Sequence, residues 1–402
     1  MTTPRAAVPV TVLTGFLGSG KTTLLKRLLH GRDLAGTAIL INELGEVGID
    51  HLLLERLDAS TVLLASGCIC CTMRSDLSAA LRALYGKVER RAIAALDRVV
   101  IETTGLADPA PILHTVLRDP VVRYHYRLGN VVTTVDAVNG TRELAGNPES
   151  VKQAAVADRL ILTKTDLVSE AMVEDLRRAL AALNPTVPIL DAQQDRIEPT
   201  LLFATGSFDP AAKTAEVRGW LTEEAHHHHD PSALGRHAAE ITTFHVSLDG
   251  AADWSMFGIW LSMLLNRHGE RILRVKGVLN VAGAPTPVCI NGVQHIMHPP
   301  FHLERWPSSD RRSHLVFIVH GLDGAAIRRS LLAFTRLSSG DPGHPRQAEE
   351  VHMQQSVEKL CRSNREAVST LVGGEAGDQA RAVGHAEPGA GIPRCAGVIA
   401  DR

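Results

Sequence analysis

The sequence predicts an α/β domain built on a parallel sheet, followed by a smaller α+β domain. The chain has 402 residues, and one hydrophobic core rarely serves more than roughly 250–300 residues, so two domains are expected. In the first half of the chain, short apolar runs alternate with helical segments, which is the pattern of parallel strands covered on both faces. In the second half, strands follow one another with fewer helices between them, which is typical of an α+β fold.

The elements of the first domain are predicted from β-branched runs and helical periodicity. A helix is predicted over 22–30, and a second over 75–90, where Leu77, Leu81 and Leu84 recur at helical spacing. Continuous apolar runs predict buried strands at 8–13, 38–41, 61–64, 99–101, 131–135 and 159–162. These elements place the first domain at residues 1–204.

A change of composition predicts a linker at 205–239. Glycine and proline recur there, and an acidic stretch leads into four consecutive histidines, His226 to His229. A solvated linker that tolerates histidine and an auxiliary surface site for Zn²⁺ or Ni²⁺ are both open interpretations of this run.

The second domain is predicted at 240–336, and its element order is close to the ferredoxin-like pattern. Strands are expected at 240–247, 272–281 and 315–320, helices at 252–266 and 325–336, and two short strands on either side of the turn dipeptide Asn291-Gly292. Residues 337–402 turn to glycine, proline and charge, with one helix near 351–361, and are expected to form a partly disordered tail.

Composition excludes several classes of protein. Hydrophobic residues make up 45% and charged residues 21% of the chain, so it is not wholly disordered. The formal net charge of −2 argues against a broad nucleic-acid-binding face. No apolar run approaches the roughly 20 residues that cross a bilayer, and the N-terminus lacks the pattern of a signal peptide. We therefore expect a cytoplasmic protein with no membrane or nucleic-acid partner.

Residues 15–22, GFLGSGKT, match the phosphate-binding pattern G-x-x-x-x-G-K-[ST] between a predicted strand and a predicted helix. Glycines let the backbone wrap tightly enough for successive N–H groups to point at phosphate oxygens, and the helix start adds its positive dipole end. Lys21 is expected to reach the β- and γ-phosphates, and the Thr22 hydroxyl to ligate Mg²⁺. The expected phosphate-binding residues are Gly15, Gly18, Ser19, Gly20, Lys21, Thr22 and Thr23.

The segment Thr163-Lys164-Thr165-Asp166 directly follows a predicted strand and is expected to bind the base. A carboxylate at Asp166 can accept both the ring N–H and the exocyclic amine of guanine, whereas adenine lacks that pair of donors. GTP and GDP are therefore the expected nucleotides, and an ATP-dependent small-molecule kinase is disfavoured. Thr163 stands where GTPases usually have asparagine, which predicts a weakened contact to the phosphate loop, while Lys164 keeps its usual place.

Residues 99–105, VVIETTG, place a carboxylate at the end of a buried strand, where ligands bind in open parallel sheets. Glu102 can hold Mg²⁺ through water or orient the attacking water, and the Gly105 N–H can sense the γ-phosphate. Lys21, Thr22 and Glu102 are therefore the candidate catalytic residues. A strand-end carboxylate with no function is the alternative for Glu102.

Three cysteines crowd into the motif G-C-I-C-C after the third predicted strand, which in a reducing compartment indicates a metal or redox site. Cys68 and Cys70 share a face of an extended chain whereas Cys71 points away, so one ion is reached by all three only if the segment turns. Glu43 and Glu46 follow the second strand and can supply further ligands. A redox dithiol and three incidental cysteines remain the alternatives.

Together these motifs resemble the CobW family of metal-binding P-loop GTPases. The phosphate loop, NELGEVG, GCICC, ETTG and TKTD occur in the family's order, and the likeness extends over residues 8–336, including HPP and RWP in the second domain. The resemblance implies slow intrinsic GTP hydrolysis, a metal at the cysteine motif and association with a client metalloprotein. These roles would fall on Lys21, Thr22, Cys68, Cys70, Cys71 and Asp166.

The resemblance implies a zinc metallochaperone, with Co²⁺ handling for cobalamin or nitrile hydratase activation as specialised alternatives. A metal buffer without enzymatic activity is the alternative from another class, and self-association into a homo-oligomer is also open. The segments at 42–51 and 67–71 both leave strand ends on the nucleotide side. GTP that orders the first segment is therefore expected to change metal affinity at the second.

Overall fold

The computed structural model describes residues 7–29, 36–41, 62–65, 73–93, 96–195, 197, 202 and 240–338. Both expected sheets lie in these ranges and belong to one compact unit, residues 1–339. The linker with His226 to His229, the cysteine motif, Glu43, Glu46 and the tail from residue 339 onward lie outside the described residues. The expected domain boundaries therefore stay predictions.

The first sheet has seven parallel strands in the order β3-β2-β4-β1-β5-β6-β7. They are β1 (Val8–Gly15), β2 (Thr37–Ile41), β3 (Val62–Ala65), β4 (Arg98–Glu102), β5 (Tyr126–Asp136), β6 (Arg159–Thr163) and β7 (Ile189–Asp191). Six of them confirm the sequence prediction, and the short β7 was not predicted. Strands β1, β2 and β5 are buried at nearly every residue, because helices cover both faces of the sheet.

Seven helices accompany this sheet in the described ranges. They are α1 (Lys21–Leu29), α2 (Met73–Glu89), α3 (Ala110–Arg118), α4 (Val122–His125), α5 (Gly140–Gly146), α6 (Pro148–Ala155) and α7 (Glu170–Leu183). The predicted bounds of α1 and α2 lie within two residues of the observed ones. Helix α7 begins after Ser169, whose side chain accepts a hydrogen bond from the Met172 N–H, a standard helix cap.

The second sheet is antiparallel and lies in the C-terminal domain. Its strands are β8 (Ile241–Leu248), β9 (Ile272–Leu279), β10 (Val288–Val293), β11 (Ile296–Met297), β12 (Phe301–His302) and β13 (Ser313–His320), with helices α8 (Trp254–His268) and α9 (Gly324–Ser338). Strand β13 pairs antiparallel with both β8 and β9, so β8 and β9 run parallel with β13 between them. This split β-α-β arrangement confirms the ferredoxin-like expectation.

The turn predicted at Asn291-Gly292 is wrong. Both residues lie inside β10, and the chain reverses at Gln294 and His295 between β10 and β11. A Cβ on Gly292 would lie 2.4 Å from the Met297 sulfur, so the glycine serves close approach of neighbouring strands.

The C-terminal domain packs on the first domain through shared apolar clusters and a buried ion pair. Val293 and Ile296 join the cluster around Leu113 and Val116 of α3. Arg274 of β9 is only 1% exposed and pairs with Asp158, which precedes β6. Among the described residues, no helix is both long and apolar enough to cross a membrane.

Candidate functional site

The phosphate loop connects β1 to α1 at the carboxyl edge of the parallel sheet. Gly15 ends β1 with φ +142°, and a Cβ there would lie 2.4 Å from the Thr134 carbonyl oxygen of β5. Gly18 and Gly20 also have positive φ angles, of +73° and +86°. The predicted glycine positions therefore correspond to backbone conformations that other residues adopt only with strain.

Lys21 begins α1 and is 8% exposed. Its Nζ donates to the carbonyl oxygens of Gly15 and Phe16, each at 3.0 Å. Ser19 shares a 2.7 Å hydrogen bond with Thr134 on β5. The loop is thus wrapped around the lysine ammonium and tied to the neighbouring strand, so that the positive end of α1 faces the same space as the ammonium.

A cavity of about 400 Å³ opens in front of this loop. It is lined by Leu17, Gly18, Gly20, Lys21, Thr22, Thr23, Thr103, Thr104, Gly105 and Leu106. Its volume lies within the range of about 300–1,000 Å³ that small-ligand sites occupy. The two segments that the sequence analysis assigned to phosphate binding therefore meet at one cavity.

Thr22 and Glu102 meet although 80 positions separate them in sequence. The Thr22 hydroxyl donates to Glu102 Oε1 at 2.5 Å, and Glu102 is only 1% exposed at the end of β4. A hydroxyl and a carboxylate are hard oxygen donors, which is the chemistry that Mg²⁺ prefers. The residues present therefore fit a magnesium ion beside a bound phosphate.

Gly105 packs directly on the phosphate loop. A Cβ at Gly105 would lie 2.5 Å from the Leu17 backbone nitrogen, so only glycine permits this approach. Gln153 of α6 donates from Nε2 to the carbonyl oxygens of Gly105 and Ala107, at 3.1 and 3.0 Å. Sequence reasoning missed Gln153, because nothing in its local pattern distinguishes it from a surface glutamine.

Thr163 contacts the phosphate loop through its side chain, and the weakening predicted for threonine in place of asparagine stays a prediction. Its Oγ1 donates to the Ser19 carbonyl at 2.9 Å, and its side chain lies against Gly20. The bond is possible because β6 ends at Thr163, close enough for a short side chain to bridge the gap.

Lys164 has φ +59°, and its Nζ pairs with Asp136 Oδ2 at 2.6 Å. Burial raises the pKa of Asp136, but hydrogen bonds from Lys164, Asn139 and the Val138 N–H outweigh it, so the net pKa lies below its usual value. An ionised Asp136 therefore holds Lys164 in place. Sequence reasoning did not single out Asp136, although it is a carboxylate at a strand end.

Asp166 is exposed at the same edge, on the short 3₁₀ turn Thr165–Leu167. The Gln193 side chain donates to Asp166 Oδ1 at 3.2 Å, and Thr165 donates to Asp191 Oδ1 at 2.8 Å. The loop after β7 thus contacts the predicted base-binding segment, and Gln193 is a further neighbour that the sequence did not indicate.

The candidate ligands of the transferred metal, Cys68, Cys70, Cys71, Glu43 and Glu46, lie outside the described residues. Within the ranges that are described, no group of three or more histidine, cysteine or acidic side chains is placed to hold a metal ion. The two segments that carry the candidate ligands follow β2 and β3, whose last residues, Ile41 and Ala65, are paired neighbours. Ile41 also pairs with Glu102.

Comparison with known families supports the sequence resemblance. The CobW/HypB/UreG nucleotide-binding domain matches residues 9–191, and the C-terminal domain of the cobalamin synthesis protein cobW matches residues 241–335. These two ranges contain the parallel sheet with its phosphate loop and the antiparallel sheet, respectively.

Several curated proteins are similar over much of their length. The chain is 33% identical to the zinc chaperone YjiA of Escherichia coli over 311 residues, covering 77% of this chain and 93% of that protein. It is 31% identical to the zinc chaperone CobW of Pseudomonas aeruginosa over 361 residues, covering 81% and 91%. A zinc-regulated GTPase metalloprotein activator of Schizosaccharomyces pombe is 35% identical over 198 residues, about half of either chain.

The fold is also similar to that of a solved relative. The crystal structure of the Zn(II)-bound YjiA GTPase from Escherichia coli has a TM-score of 0.61 and 27% identity, covering 82% of this chain and 99% of that one. A Zn(II)-bound triple mutant of the same protein gives 0.62 and 28%. The chain therefore belongs to the CobW family of P-loop GTPases, the family of these zinc chaperones.

Proposed function

We propose that this chain hydrolyses GTP and uses the nucleotide cycle to control delivery of zinc to a client metalloprotein. The carrying observation is the convergence on one cavity of the phosphate loop, Gly105 and Thr22, whose hydroxyl is hydrogen-bonded to Glu102. Relatives that cover most of this chain are named zinc chaperones, which supports zinc as the cargo. We expect the protein to act in the cytoplasm, where thiols stay reduced.

The phosphate loop would bind the triphosphate through backbone N–H groups of Gly18, Ser19 and Gly20 and through Lys21, with Gly15 allowing the turn and Thr23 at the helix start. Lys21 lies where two loop carbonyls hold its ammonium beside the cavity. Negative charge that develops as the bond between the β- and γ-phosphates breaks would be stabilised by this fixed cation and the helix terminus. Such groups are oriented before the reaction and need little rearrangement during it.

Hydrolysis requires a water oxygen to attack the γ-phosphorus while the bond to GDP breaks, giving GDP and inorganic phosphate. Glu102 would orient that water or a water on the metal, since its carboxylate lies at the end of β4 and is hydrogen-bonded to Thr22, which lines the cavity. Mg²⁺, when bound at Thr22 and Glu102, would neutralise charge on the phosphate oxygens. The Gly105 N–H would detect the γ-phosphate.

Asp166 would accept the ring N–H and the exocyclic amine of guanine, and Lys164 would flank the base while Asp136 holds it. Thr163 would join this segment to the phosphate loop. The exposed position of Asp166 at the carboxyl edge of the sheet supports this role, because the phosphate loop ends at the same edge.

Zinc would bind as cargo to the thiolates of Cys68, Cys70 and Cys71, with Glu43 or Glu46 as further ligands. The pairing of Ile41 with both Ala65 and Glu102 supports coupling, because the metal-binding segments would then begin beside the Mg²⁺ site. Coupling of this kind typically amounts to about 1–3 kcal/mol, or a five- to 150-fold change in affinity. It would favour release of zinc without preventing its capture.

The test is a zinc titration under reducing conditions, with and without a non-hydrolysable GTP analogue. We expect Cys70→Ser plus Cys71→Ser to lose zinc binding, whereas Cys289→Ala, which removes a buried thiol from the C-terminal domain, should retain it. Zinc affinity that is equal in the free and GTP-loaded protein contradicts the coupling. A Co²⁺ titration in parallel decides whether zinc is preferred.

GTP turnover separates the enzyme from a metal buffer. We expect Lys21→Ala to reduce turnover by about a hundredfold, in the range seen when one stabilising donor is removed from a transition state. Turnover equal to that of the wild type would favour the buffer, in which nucleotide has only a structural role.

A further inference from the structure

The segment from Thr103 to Asp108 connects the nucleotide cavity to the C-terminal domain. Its first residues, Thr103 and Gly105, line the cavity. The Thr103 hydroxyl donates to Thr14 of β1 at 2.8 Å, which fixes the start of the segment beside the phosphate loop. Its last residue, Asp108, lies at the start of α3 and faces the C-terminal domain.

Gln153 holds the middle of this segment. Its side-chain amide donates to two carbonyl oxygens of the segment, those of Gly105 and Ala107, and the residue is only 1% exposed. Its own backbone carbonyl accepts a hydrogen bond from Thr133 on β5, so α6 is anchored to the sheet at this residue. Within the described part of the chain, Gln153 Oε1 is buried without a hydrogen-bond partner. Such a group is costly to bury, so the two donations must compensate for it.

Asp108 joins the segment to the C-terminal domain. Its Oδ1 accepts from the Ala110 N–H at the start of α3, and its Oδ2 accepts from Gln294 Nε2 at 3.1 Å. Gln294 lies at the turn between β10 and β11 and has φ +52°, a conformation that is uncommon for glutamine. The two-residue turn between Val293 and Ile296 requires this backbone conformation, and it places the Gln294 side chain within reach of Asp108.

A polar cavity of about 270 Å³ borders the same contact. Asp108, Lys152 and Gln294 line it, together with His114, Glu270 and His295. Because this space adjoins Asp108, the end of the segment can shift without displacing a packed core. A close-packed interior would resist such a shift.

We propose that Gln153 is a positioning residue for the γ-phosphate-sensing segment, and that the Asp108–Gln294 hydrogen bond transmits the position of this segment to the β10–β11 hairpin. Gln153 sets where Gly105 lies, and Gly105 in turn faces the phosphates. The C-terminal domain thereby differs between the GTP and GDP states. This inference rests on the proposed GTPase function.

Hydrogen–deuterium exchange of residues 288–297 in the full chain tests the transmission. We expect wild-type protein to exchange differently with GDP and with a non-hydrolysable GTP analogue. Gln294→Asn should abolish the difference, because asparagine tolerates positive φ but is too short to reach Asp108. Since coupling is reciprocal, its preference for the GTP analogue over GDP should also change by about fivefold or more.

Gln153→Glu tests the positioning role, because it replaces the amide donor with a carboxylate that repels both carbonyls. We expect affinity for the GTP analogue to fall about tenfold or more, while GDP affinity stays within about threefold. A merely structural defect would lower both affinities together and lower the melting temperature. Lys152→Gln, which changes the adjacent residue at the same interdomain cavity, should leave exchange and affinities unchanged.

The outcomes separate this inference from the function on which it rests. Protein that binds and hydrolyses GTP but shows the same exchange in both nucleotide states overturns the transmission alone. A difference that persists in Gln294→Asn also overturns it. Protein that binds no GTP overturns the proposed function, and the inference with it. Equal losses of GTP-analogue and GDP affinity in Gln153→Glu overturn the positioning role. If Gln153→Glu fails to fold, the exchange experiment with Gln294→Asn still tests the transmission.

Discussion

Thr163 donates its hydroxyl hydrogen to the backbone carbonyl of Ser19 at 2.9 Å, joining the end of β6 to the phosphate loop. Both residues are buried, so the bond is shielded from water. It joins the segment proposed to bind the base to the segment proposed to bind phosphate. We expect this bond to keep the two parts of the nucleotide site at a fixed separation.

Removing that bond should weaken nucleotide binding. Thr163→Val keeps the shape of the side chain but leaves the Ser19 carbonyl buried without its partner, at a cost of about 1–3 kcal/mol. We expect GTP affinity, measured by competition with a fluorescent analogue, to fall about five- to 100-fold. Thr163→Ser retains the hydroxyl and is the matched control. Equal affinities for Thr163→Val and wild type would contradict a structural role for the bond.

Asp166 should determine the choice of base. Asp166→Asn replaces one acceptor with a donor, which opposes the guanine amine and suits the extra carbonyl of xanthine. We expect affinity for GTP to fall by about 30-fold or more and affinity for XTP to rise relative to it. Gln193→Ala, which alters a neighbour of Asp166, is the control for general disturbance of the loop. An unchanged ratio of GTP to XTP affinity would show that another residue selects the base.

The buried pair Arg274–Asp158 should stabilise the contact between the two domains. Arg274→Met leaves the Asp158 carboxylate buried, with the Lys276 ammonium 3.8 Å from its Oδ1. Removing one partner of a buried pair typically costs about 3–5 kcal/mol, and we expect a loss of that size in the free energy of unfolding.

Two further variants test this interpretation of the pair. Arg274→Met combined with Asp158→Asn should lose less than the sum of the single changes, because both changes remove the same ion pair. The exposed pair Arg178–Asp175 provides the comparison, and Arg178→Gln should cost at most about 1 kcal/mol. Additive losses in the double variant would mean that the two side chains stabilise the protein independently.

A pair of histidines in the C-terminal domain should make stability depend on pH. His245 Nε2 lies 3.0 Å from His314 Nδ1, and burial, followed by the nearby His314, Arg328 and Arg312, lowers the pKa of His245 to about 4, against the opposing charge of Asp310. The pKa of His314 also lies below its usual value, because burial lowers it by more than Asp310 raises it. The folded state therefore binds fewer protons than the unfolded state as the pH falls from 6.5 to about 4.

Stability should accordingly decrease as the pH falls through that window and be fully present above it. We expect His245→Gln, which cannot be protonated, to remove about 1 kcal/mol of the difference in unfolding free energy between pH 7 and pH 5, since His245 is partly exposed and screened by solvent. Melting curves at the two pH values provide the measurement. The same pH difference in variant and wild type would contradict the assignment to His245.

The parts of the site that the sequence predicted are those whose chemistry is contained in a continuous segment. The GKT loop needs glycine at fixed spacings, so Gly15, Gly18 and Gly20 indicate their own backbone conformations. Glu102 was predicted because its strand end is visible as an apolar run followed by a carboxylate. Its 2.5 Å bond to Thr22 was not, because that distance depends on how β1 and β4 pair.

The missed parts depend on contacts between distant segments. Gln153 and Asp136 have ordinary local sequences, and their roles follow from the packing of α6 and from the path of the chain after β6. The turn predicted at Asn291-Gly292 was wrong. Glycine is favoured in turns because it adopts positive φ, and in strands where a neighbour leaves no room for a side chain. Only the pairing of β10 with β11 distinguishes them.

The insertion of β13 between β8 and β9 has a consequence for synthesis of the protein. Strands β8 and β9 both emerge from the ribosome before β13, the strand that pairs with each of them. Until residue 320 has been added, β8 and one side of β9 are open strand edges, which are ready to pair with other chains. We expect a nascent chain stalled at this stage to bind molecular chaperones.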